Sequence, residues 1–160
     1  PRVGSAAMAM ATVRSEPNVV VGAFTGGAYH GRMYGTQHQP ISLLDIGKRH
    51  SLSQVMTAVD GLPMGPTDCA LPMVWAKTNE PTIETFIVYT DNETWSGTIQ
   101  PQQALRDYRR ATGIDAKLVV VGMTATSFSI ADPTDSGMMD VCGFDSSAPR
   151  VMADFSAGRI

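Results

Sequence analysis

Oxygen-bearing side chains are concentrated in two short, turn-forming segments of the sequence. The segment GPTDC supplies Thr67 and Asp68. The segment TDNET supplies Asp91, Asn92, Glu93 and Thr94. Hydroxyl and carboxylate oxygens suit a hard cation such as Mg²⁺, which prefers octahedral oxygen coordination and keeps several waters. A plainer role is also open, in which Thr67 or Asp68 caps a helix and Asp91 closes a turn.

The position of Asp91 relative to the predicted strands favours a site. TFIVYT, at 85–90, is a continuous apolar run typical of a strand buried on both faces, and NVVVGAF (18–24) and KLVVVGM (117–123) have the same character. Helical patterns separate these runs, which predicts a mostly parallel sheet with helices on both faces. In such sheets ligands bind beyond the carboxyl ends of the strands, where Asp91 is expected.

The helices are predicted from apolar spacing and from end signals. Ser51 and Gln54 form a capping box at the start of a helix that Gly61 ends, and Gly113 is a suitable C-terminal cap for another. In the latter helix Leu105 and Tyr108 are expected to face inward. The other segments are assigned as helices at 3–16, 69–77, 101–112 and 148–155, a loop or irregular hairpin at 25–50, a short edge strand at 127–130, and a buried strand and turn at 140–145.

The composition excludes several classes of protein. The chain has 160 residues, of which 43% are hydrophobic and 17% charged, so it is long enough for one domain with a core and is not typical of a disordered chain. A net charge of -3 provides no overall basic field for nucleic acid. There is neither an apolar run of about 18 residues nor a signal-peptide pattern, so we expect no membrane span and no secretion.

The cysteines and histidines give no strong metal or disulfide pattern. Cys69 and Cys142 lie far apart in the sequence, and we interpret both as reduced residues of a cytoplasmic protein. His30, His38 and His50 fall in one polar, glycine-rich region, but their spacing matches no familiar zinc pattern. Exposed loop histidines are the simpler interpretation.

Four long blocks of the sequence resemble one known family. GPTDCALPMVWA, FIVYTDNETWSG, ALRDYRRATGIDAKLVVVGMT and IADPTDSGMMDVCGFD occur in the order found in the C-terminal von Willebrand factor A domain of the Ro autoantigen (TROVE) family, and the resemblance runs from Pro1 nearly to Ile160. It implies a single von Willebrand factor A-like domain over 1–160. The implied fold is a doubly wound, Rossmann-like α/β fold with a metal-ion-dependent adhesion site.

The resemblance also assigns residues to that adhesion site. The family pattern is Asp-x-Ser-x-Ser on one loop, a threonine on a second and an aspartate on a third. By this resemblance Thr67 is the second-loop ligand and Asp91 is the third-loop carboxylate, while Asp68, Asn92 and Glu93 support them. The implied cofactor of the intact domain is Mg²⁺ or another divalent cation.

One part of the family pattern is missing from the sequence, which contains no Asp-x-Ser-x-Ser. In the family that motif follows the first strand and precedes a stretch like PRVGSAAMAMAT, so we expect Pro1 to fall just after a missing strand and loop. The domain would then be N-terminally incomplete, with weak or absent metal binding in this chain alone. Its central strand would have to be supplied by another segment or another chain.

The resemblance implies a binding module rather than an enzyme. The cation would bridge to an acidic side chain of a partner protein. Y RNA or defective noncoding RNA would bind mainly to the rest of the parent protein, although a cluster of Arg106, Arg109 and Arg110 leaves phosphate contact open beside an exposed helix face. Two alternatives remain: a structural domain with a vestigial site that closes or rigidifies the RNA-binding ring, and hydrolysis by a metal-bound water near Asp91 and Glu93.

Overall fold

Five helices and two small sheets form the described part of the computed structural model, which comprises residues 2–24, 41–62, 67–90, 97–123, 130–143 and 145–160. The helices are α1 (Arg2–Ser15), α2 (Leu52–Asp60), α3 (Leu71–Asn79), α4 (Pro101–Thr112) and α5 (Ala148–Ser156). The strands are β1 (Gly22–Phe24), β2 (Ile41–Leu43), β3 (Thr85–Thr90), β4 (Lys117–Gly122) and β5 (Met138–Cys142). None of the described helices is long and apolar enough to cross a membrane.

The larger sheet is parallel, with the strand order β3-β4-β5. Its register aligns Thr90 with Gly122 and Gly122 with Cys142, so the three carboxyl ends lie at the same edge. Two hydrogen bonds close this edge: the Met123 N–H donates to the Thr90 carbonyl at 2.8 Å, and the Gly143 N–H donates to the Gly122 carbonyl at 2.8 Å. This is the edge where the sequence predicts a site.

Helices cover both faces of this sheet, which confirms the predicted α/β architecture. On one face, Leu118 and Val120 of β4 pack in a core with α3 and α4. On the other, Val119 and Val121 pack against α1 and α5. Because alternate residues of a strand point to opposite faces, both faces of β4 are buried. This explains the unbroken apolar run in that strand.

The smaller sheet is an antiparallel hairpin of β1 and β2. The predicted buried strand over 18–24 is wrong in its first half, because the strand begins at Gly22 and Val19 and Val20 are exposed, Val20 by 50%. The sequence predicted a loop or irregular hairpin over 25–50. Within that range β2 pairs with β1, and residues 25–40 lie outside the described part. Phe24 packs against the core formed with α3, which connects the hairpin to the larger sheet.

The helix-end signals were mostly correct. The capping box of Ser51 and Gln54 is present in both directions, and α4 has the predicted bounds. Leu105 and Tyr108 are fully buried as expected, and Gly113 ends α4 with a left-handed φ of 74°. By contrast, α3 begins at Leu71, two residues later than predicted, because Asp68 forms a turn before the helix.

Three further predictions need correction. Ile130 is buried but lies in a bend and not in a strand, and residues 127–129 fall outside the described part. The strand expected within 140–145 is β5, which begins earlier at Met138 and has alternate residues partly or fully exposed, including Cys142. The helical spacing in 148–155 predicts an apolar face of Val151, Met152 and Phe155, but Val151 is partly exposed, and Met152 and Phe155 form the buried face of α5.

One edge of the larger sheet is open in the part of the chain that the structure describes. There β3 pairs with β4 alone, and β1 pairs with β2 alone. The strand β3 is a six-residue strand with Phe86 and Val88 buried on one face and Ile87 and Tyr89 half-buried on the other. A strand of this kind at a sheet edge is a site for pairing with a further strand.

Candidate metal site

The start of helix α1 lies at the carboxyl edge of the parallel sheet. The Ser5 hydroxyl donates to the Met123 sulfur at 2.5 Å, and Met123 directly follows β4. Farther along α1, the Thr12 hydroxyl and the Tyr89 hydroxyl are 3.2 Å apart. Helix α1 therefore begins at the carboxyl edge of the sheet and packs across the face of β3 that carries Tyr89.

The segment 67–70 reaches the same edge. The Cys69 thiol donates to the Thr90 hydroxyl over 3.8 Å, so this segment contacts the last residue of β3. Within this segment, Cys69 and Ala70 are buried. The segment before α3 therefore contacts the end of β3, although the two are far apart in the sequence. This is the arrangement that the predicted site requires.

Asp68 is an unusually buried carboxylate, with 5% of its surface exposed. Its Oδ1 accepts the Ala70 N–H at 3.0 Å, and its carbonyl accepts the Leu71 N–H at 3.3 Å, so the residue closes the turn before α3. Burial raises the pKa of Asp68, and the Ala70 hydrogen bond opposes that rise. Among the described residues no Lys, Arg or His forms an ion pair with it. Asp68 therefore closes a turn, and the predicted helix cap at Thr67 or Asp68 is wrong, because the N-cap of α3 is Ala70 and no side chain caps that helix.

The sequence-predicted ligands are only partly within the described residues. Thr67 is half-buried immediately before Asp68. Asp91 and its neighbours Asn92, Glu93 and Thr94 lie outside the described part, whereas Thr90 before them lies within it. The convergence of Thr67 and Asp91 therefore stays a prediction.

Two residues of this edge were missed from the sequence. Thr90 is buried and bonded to Cys69, and Gly97 lies directly against the Asp68 carboxylate. The threonine could have been found, because it ends a strand that precedes the acidic cluster. The glycine had no local signal beyond its place after that cluster.

The oxygen groups at this edge are of the types that bind a hard cation. Threonine hydroxyls and a buried carboxylate are the groups that Mg²⁺ binds or that orient its ligands. The described residues contain no group of three or more His, Cys, Asp or Glu side chains that could hold a metal. A complete six-fold shell would therefore also need Asp91, waters and ligands from an Asp-x-Ser-x-Ser loop.

The histidine and arginine alternatives are less well supported. His50 is half-buried, and its Nδ1 accepts the Gly47 N–H at 2.7 Å, while His30 and His38 lie outside the described part. The three arginines of α4 are all engaged by aspartates. The ion pairs are Arg106–Asp132 at 2.5 Å, Arg109–Asp135 at 2.6 Å and Arg110–Asp107 at 3.3 Å. Each arginine of the cluster therefore has an aspartate beside it that offsets its charge.

Comparison with known proteins gives consistent matches. A family model described as the Ro60 vWA domain matches residues 1–156. The protein named "RNA-binding protein RO60" from Deinococcus radiodurans is 41% identical over 160 residues, which is all of this chain and 28% of that protein. The protein of the same name from Caenorhabditis elegans is 48% identical over 118 residues, which is 73% of this chain and 18% of that protein.

A solved structure shows the same fold. The crystal structure of the Deinococcus radiodurans Ro (RSR) protein superposes with a TM-score of 0.83 at 39% sequence identity. The match covers 100% of this chain and 30% of that one. The chain thus spans less than a third of the length of each of these relatives.

Proposed function

Because the chain belongs to the Ro60 von Willebrand factor A domain family, we propose that it is the divalent-cation-dependent, protein-binding module of a Ro-type RNA-binding protein. The observation that carries the proposal is the contact between Cys69 and Thr90 at the carboxyl edge of the sheet. Thr67 lies two residues before Cys69, and Asp91 directly follows Thr90. The two proposed ligands therefore flank a contact that the structure contains.

Each proposed residue has a stated task in cation binding. The Thr67 hydroxyl and the Asp91 carboxylate would bind the cation, Mg²⁺ or a similar ion, and Asn92 and Glu93 would orient those ligands. Asp68 holds the turn that presents Thr67. When bound, the cation supplies an open coordination position for a carboxylate of a partner protein. The protein partner is thus one with an acidic ligand residue.

RNA binding is assigned mainly to the rest of the parent protein. Relatives from two distant organisms bear the name RNA-binding protein, and this chain corresponds to 28% and 18% of them. The paired arginines of α4 and the net charge of -3 favour an RNA surface elsewhere. Y RNA or misfolded noncoding RNA is the proposed RNA, in a cytoplasmic protein that catalyses no reaction through this domain.

A further strand is proposed to complete the larger sheet. In the described residues the β1–β2 pair and β3 belong to separate sheets, and the proposed strand, supplied by another segment or another chain, would lie between them. Burying about five apolar side chains at roughly 1.5–3 kcal/mol each would contribute on the order of 10 kcal/mol. A typical domain is stable by about 5–15 kcal/mol, so the proposed strand would supply a large share of the stability.

Calorimetry with Mg²⁺ on the complete gene product tests the metal proposal. We expect a saturable heat that Asp91→Ala removes. No heat in either protein would favour the structural alternative, in which the site is vestigial and the domain closes or rigidifies the ring. Turnover of phosphate esters by the wild-type protein, lost in Asp91→Ala, would instead support an enzyme.

Denaturant unfolding of the 160-residue chain by itself tests the strand proposal. We expect a broad transition or none, because the strand proposed to cover the edge of β3 would be absent from this sample. A cooperative transition of a monomer with normal stability would contradict it. Analytical ultracentrifugation of the same sample distinguishes a monomer from a strand-exchanged dimer.

A further inference from the structure

A basic turn at residues 47–50 carries two exposed cations on a fixed backbone. The His50 N–H donates to the Gly47 carbonyl at 3.1 Å, which closes a turn with Lys48 and Arg49 as its central residues. The Gly47 N–H donates to His50 Nδ1 at 2.7 Å, so a second hydrogen bond joins the same two ends. The side chains of Lys48 and Arg49 are both exposed.

Helix α1 holds this basic turn in place and adds a third cation. Arg14, in the last turn of α1, donates from Nε to the Lys48 carbonyl at 3.4 Å and from Nη2 to the His50 carbonyl at 3.1 Å. Both acceptors are neutral, so the guanidinium keeps its positive charge, and Arg14 is exposed. Three positive charges therefore lie at one corner of the molecule.

Ion pairs do not neutralise these cations within the described residues. Every ion pair there uses an arginine at position 106 or later, and none includes Arg14, Lys48 or Arg49. Asp45 and Glu16 are the nearest acidic residues in sequence, and neither is within ion-pair distance of the three cations. The corner differs in this respect from α4, whose arginines are each paired with an aspartate.

The backbone of the basic turn also offers donors to an anion. In the part of the chain that the structure describes, no group accepts the N–H of Lys48 or of Arg49. The carbonyls of Lys48 and His50, which would repel an anion, are bound by Arg14. Phosphate groups are bound by this combination of lysine, arginine and backbone N–H donors.

We propose that the basic turn, together with Arg14, contacts the phosphate backbone of RNA that the parent protein binds. The flanking segments 13–16 and 44–54 contain no Phe, Tyr or Trp on which a base could stack. The contact is therefore one to phosphate and does not depend on base sequence. It adds to the RNA surface assigned to the rest of the parent protein, and it rests on the proposed function, which takes RNA as the ligand.

The basic turn is separate from the candidate metal site. Helix α1 begins at the carboxyl edge of the sheet, where Ser5 contacts Met123. Arg14 lies in the last turn of this 14-residue helix, about 13 Å along its axis from Ser5 at roughly 1.5 Å per residue. Substitutions in the basic turn should therefore leave Mg²⁺ affinity unchanged.

Lysine footprinting of the complete gene product tests the proposal, with polyuridine as the probe. Saturating polyuridine should slow acetylation of Lys48 by an amine-reactive reagent at least fivefold, on the order expected for an amine held at a phosphate. Lys77 is the matched control, because it is also exposed and without an ion pair among the described residues. It lies on α3, which covers the opposite face of the sheet from α1, and its acetylation rate should not change.

The salt dependence of polyuridine binding gives a second readout. The double variant Lys48→Ala, Arg49→Ala should lower the slope of log affinity against log salt by about 1.4, because each phosphate contact to a single strand contributes about 0.7. Its affinity at low salt should fall roughly tenfold. Lys77→Ala should change neither quantity, although it also removes one exposed positive charge.

The outcomes separate this inference from the proposed function. If polyuridine binds the complete gene product but neither protects Lys48 nor loses salt dependence in the double variant, the inference is wrong and the RNA assignment stands. Equal protection of Lys77 would also overturn it. Equal protection of Lys48 by polyglutamate, or protection by phosphatidylserine vesicles without protection by polyuridine, would overturn it in favour of an acidic protein or a membrane. If polyuridine does not bind at all, the RNA assignment and this inference both fall.

Discussion

Replacing Arg109 by methionine should destabilise the domain without weakening RNA binding. The Arg109 guanidinium forms a two-pronged pair with Asp135, with nitrogen–oxygen distances of 2.6 and 3.3 Å, and its Nε donates to the Ala116 carbonyl at 2.7 Å. The two charged side chains are 18% and 19% exposed. The variant removes the arginine donors of both Asp135 oxygens and of the Ala116 carbonyl.

The expected loss in the free energy of unfolding of Arg109→Met is about 2 kcal/mol. Hydrogen bonds to charged groups contribute about 1.5–3 kcal/mol, and breaking a fully buried pair costs about 3–5 kcal/mol. The lower range applies because about a fifth of each side chain is in water and because Asp135 keeps the Gly137 N–H at 2.9 Å. A second contact, to Asp115 at 3.6 Å, contributes little because that side chain is 97% exposed.

Hydrogen exchange of the β4 amides measures this loss in the complete gene product. These amides lie in the most buried strand and exchange through unfolding of the domain, so 2 kcal/mol corresponds to about 30-fold faster exchange. The matched control is Arg110→Met, at a side chain that is 76% exposed and paired with Asp107 at 3.3 Å, which should change exchange very little.

RNA titration of the same variants at two salt concentrations completes the test. We expect the affinity and the salt dependence of both variants to match the wild type, because the arginines are bound to aspartates. Unchanged β4 exchange in Arg109→Met, together with weaker RNA binding and a smaller salt slope, would refute this reasoning. That result would show a phosphate contact on α4.

Further predictions concern stability, each measured by β4 amide exchange. The adjacent Arg109 guanidinium lowers the pKa of Asp135, so the stability that Asp135 contributes is complete above its pKa in the unfolded chain and disappears as the pH falls through its lower pKa in the folded chain. Asp135→Asn should therefore destabilise the domain at pH 7 but not in strong acid. A loss of stability that does not depend on pH would contradict this. Gly113→Ala, at φ 74°, should lower the free energy of unfolding by about 1 kcal/mol, whereas Gly61→Ala, at φ -81°, should leave it unchanged. Equal losses of stability in the two variants would argue against backbone strain at Gly113. Tyr108→Phe should cost about 1–3 kcal/mol, because the buried hydroxyl accepts the Ile83 N–H at 2.8 Å; a neutral result would mean that water replaces it.

The elements that the sequence predicted well have strong local signals. The strand β4 is an uninterrupted apolar run because both of its faces are covered, and the run alone is enough to identify it. The capping box of Ser51 and Gln54 and the glycine after α4 are equally local, since each depends on residues within one helical turn. Local chemistry determines these features, so no tertiary information is needed.

The sequence predictions that were wrong or missing depend on contacts between distant segments. The run NVVVGAF predicted a buried strand from its first residues, but an apolar run cannot show how much neighbouring structure covers each residue, and Val19 and Val20 are exposed. The later start of α3 depends on the turn at Asp68. The place of Gly97 depends on a contact with that turn from a loop far along the chain.

The type of the candidate site stays a prediction, because Asp91 lies outside the described residues. Asp91 was singled out because it follows β3, and the structure brings the segment containing Thr67 to the end of that strand. The sequence also indicated oxygen ligands at this edge. The contact between Asp68 and Gly97 required coordinates, because it depends on backbone conformation and on close approach.

The most direct test of the central claim is to locate a bound cation by paramagnetic broadening of amide NMR signals. Mn²⁺ replaces Mg²⁺ at oxygen sites. In the complete gene product it should broaden the signals of Thr67, Ala70 and Thr90 at the carboxyl edge, leave Lys117 and Gly113 near the opposite edge sharp, and lose this effect in Asp91→Ala. Broadening centred at the opposite edge, or unchanged by Asp91→Ala, would contradict a cation held between Thr67 and Asp91.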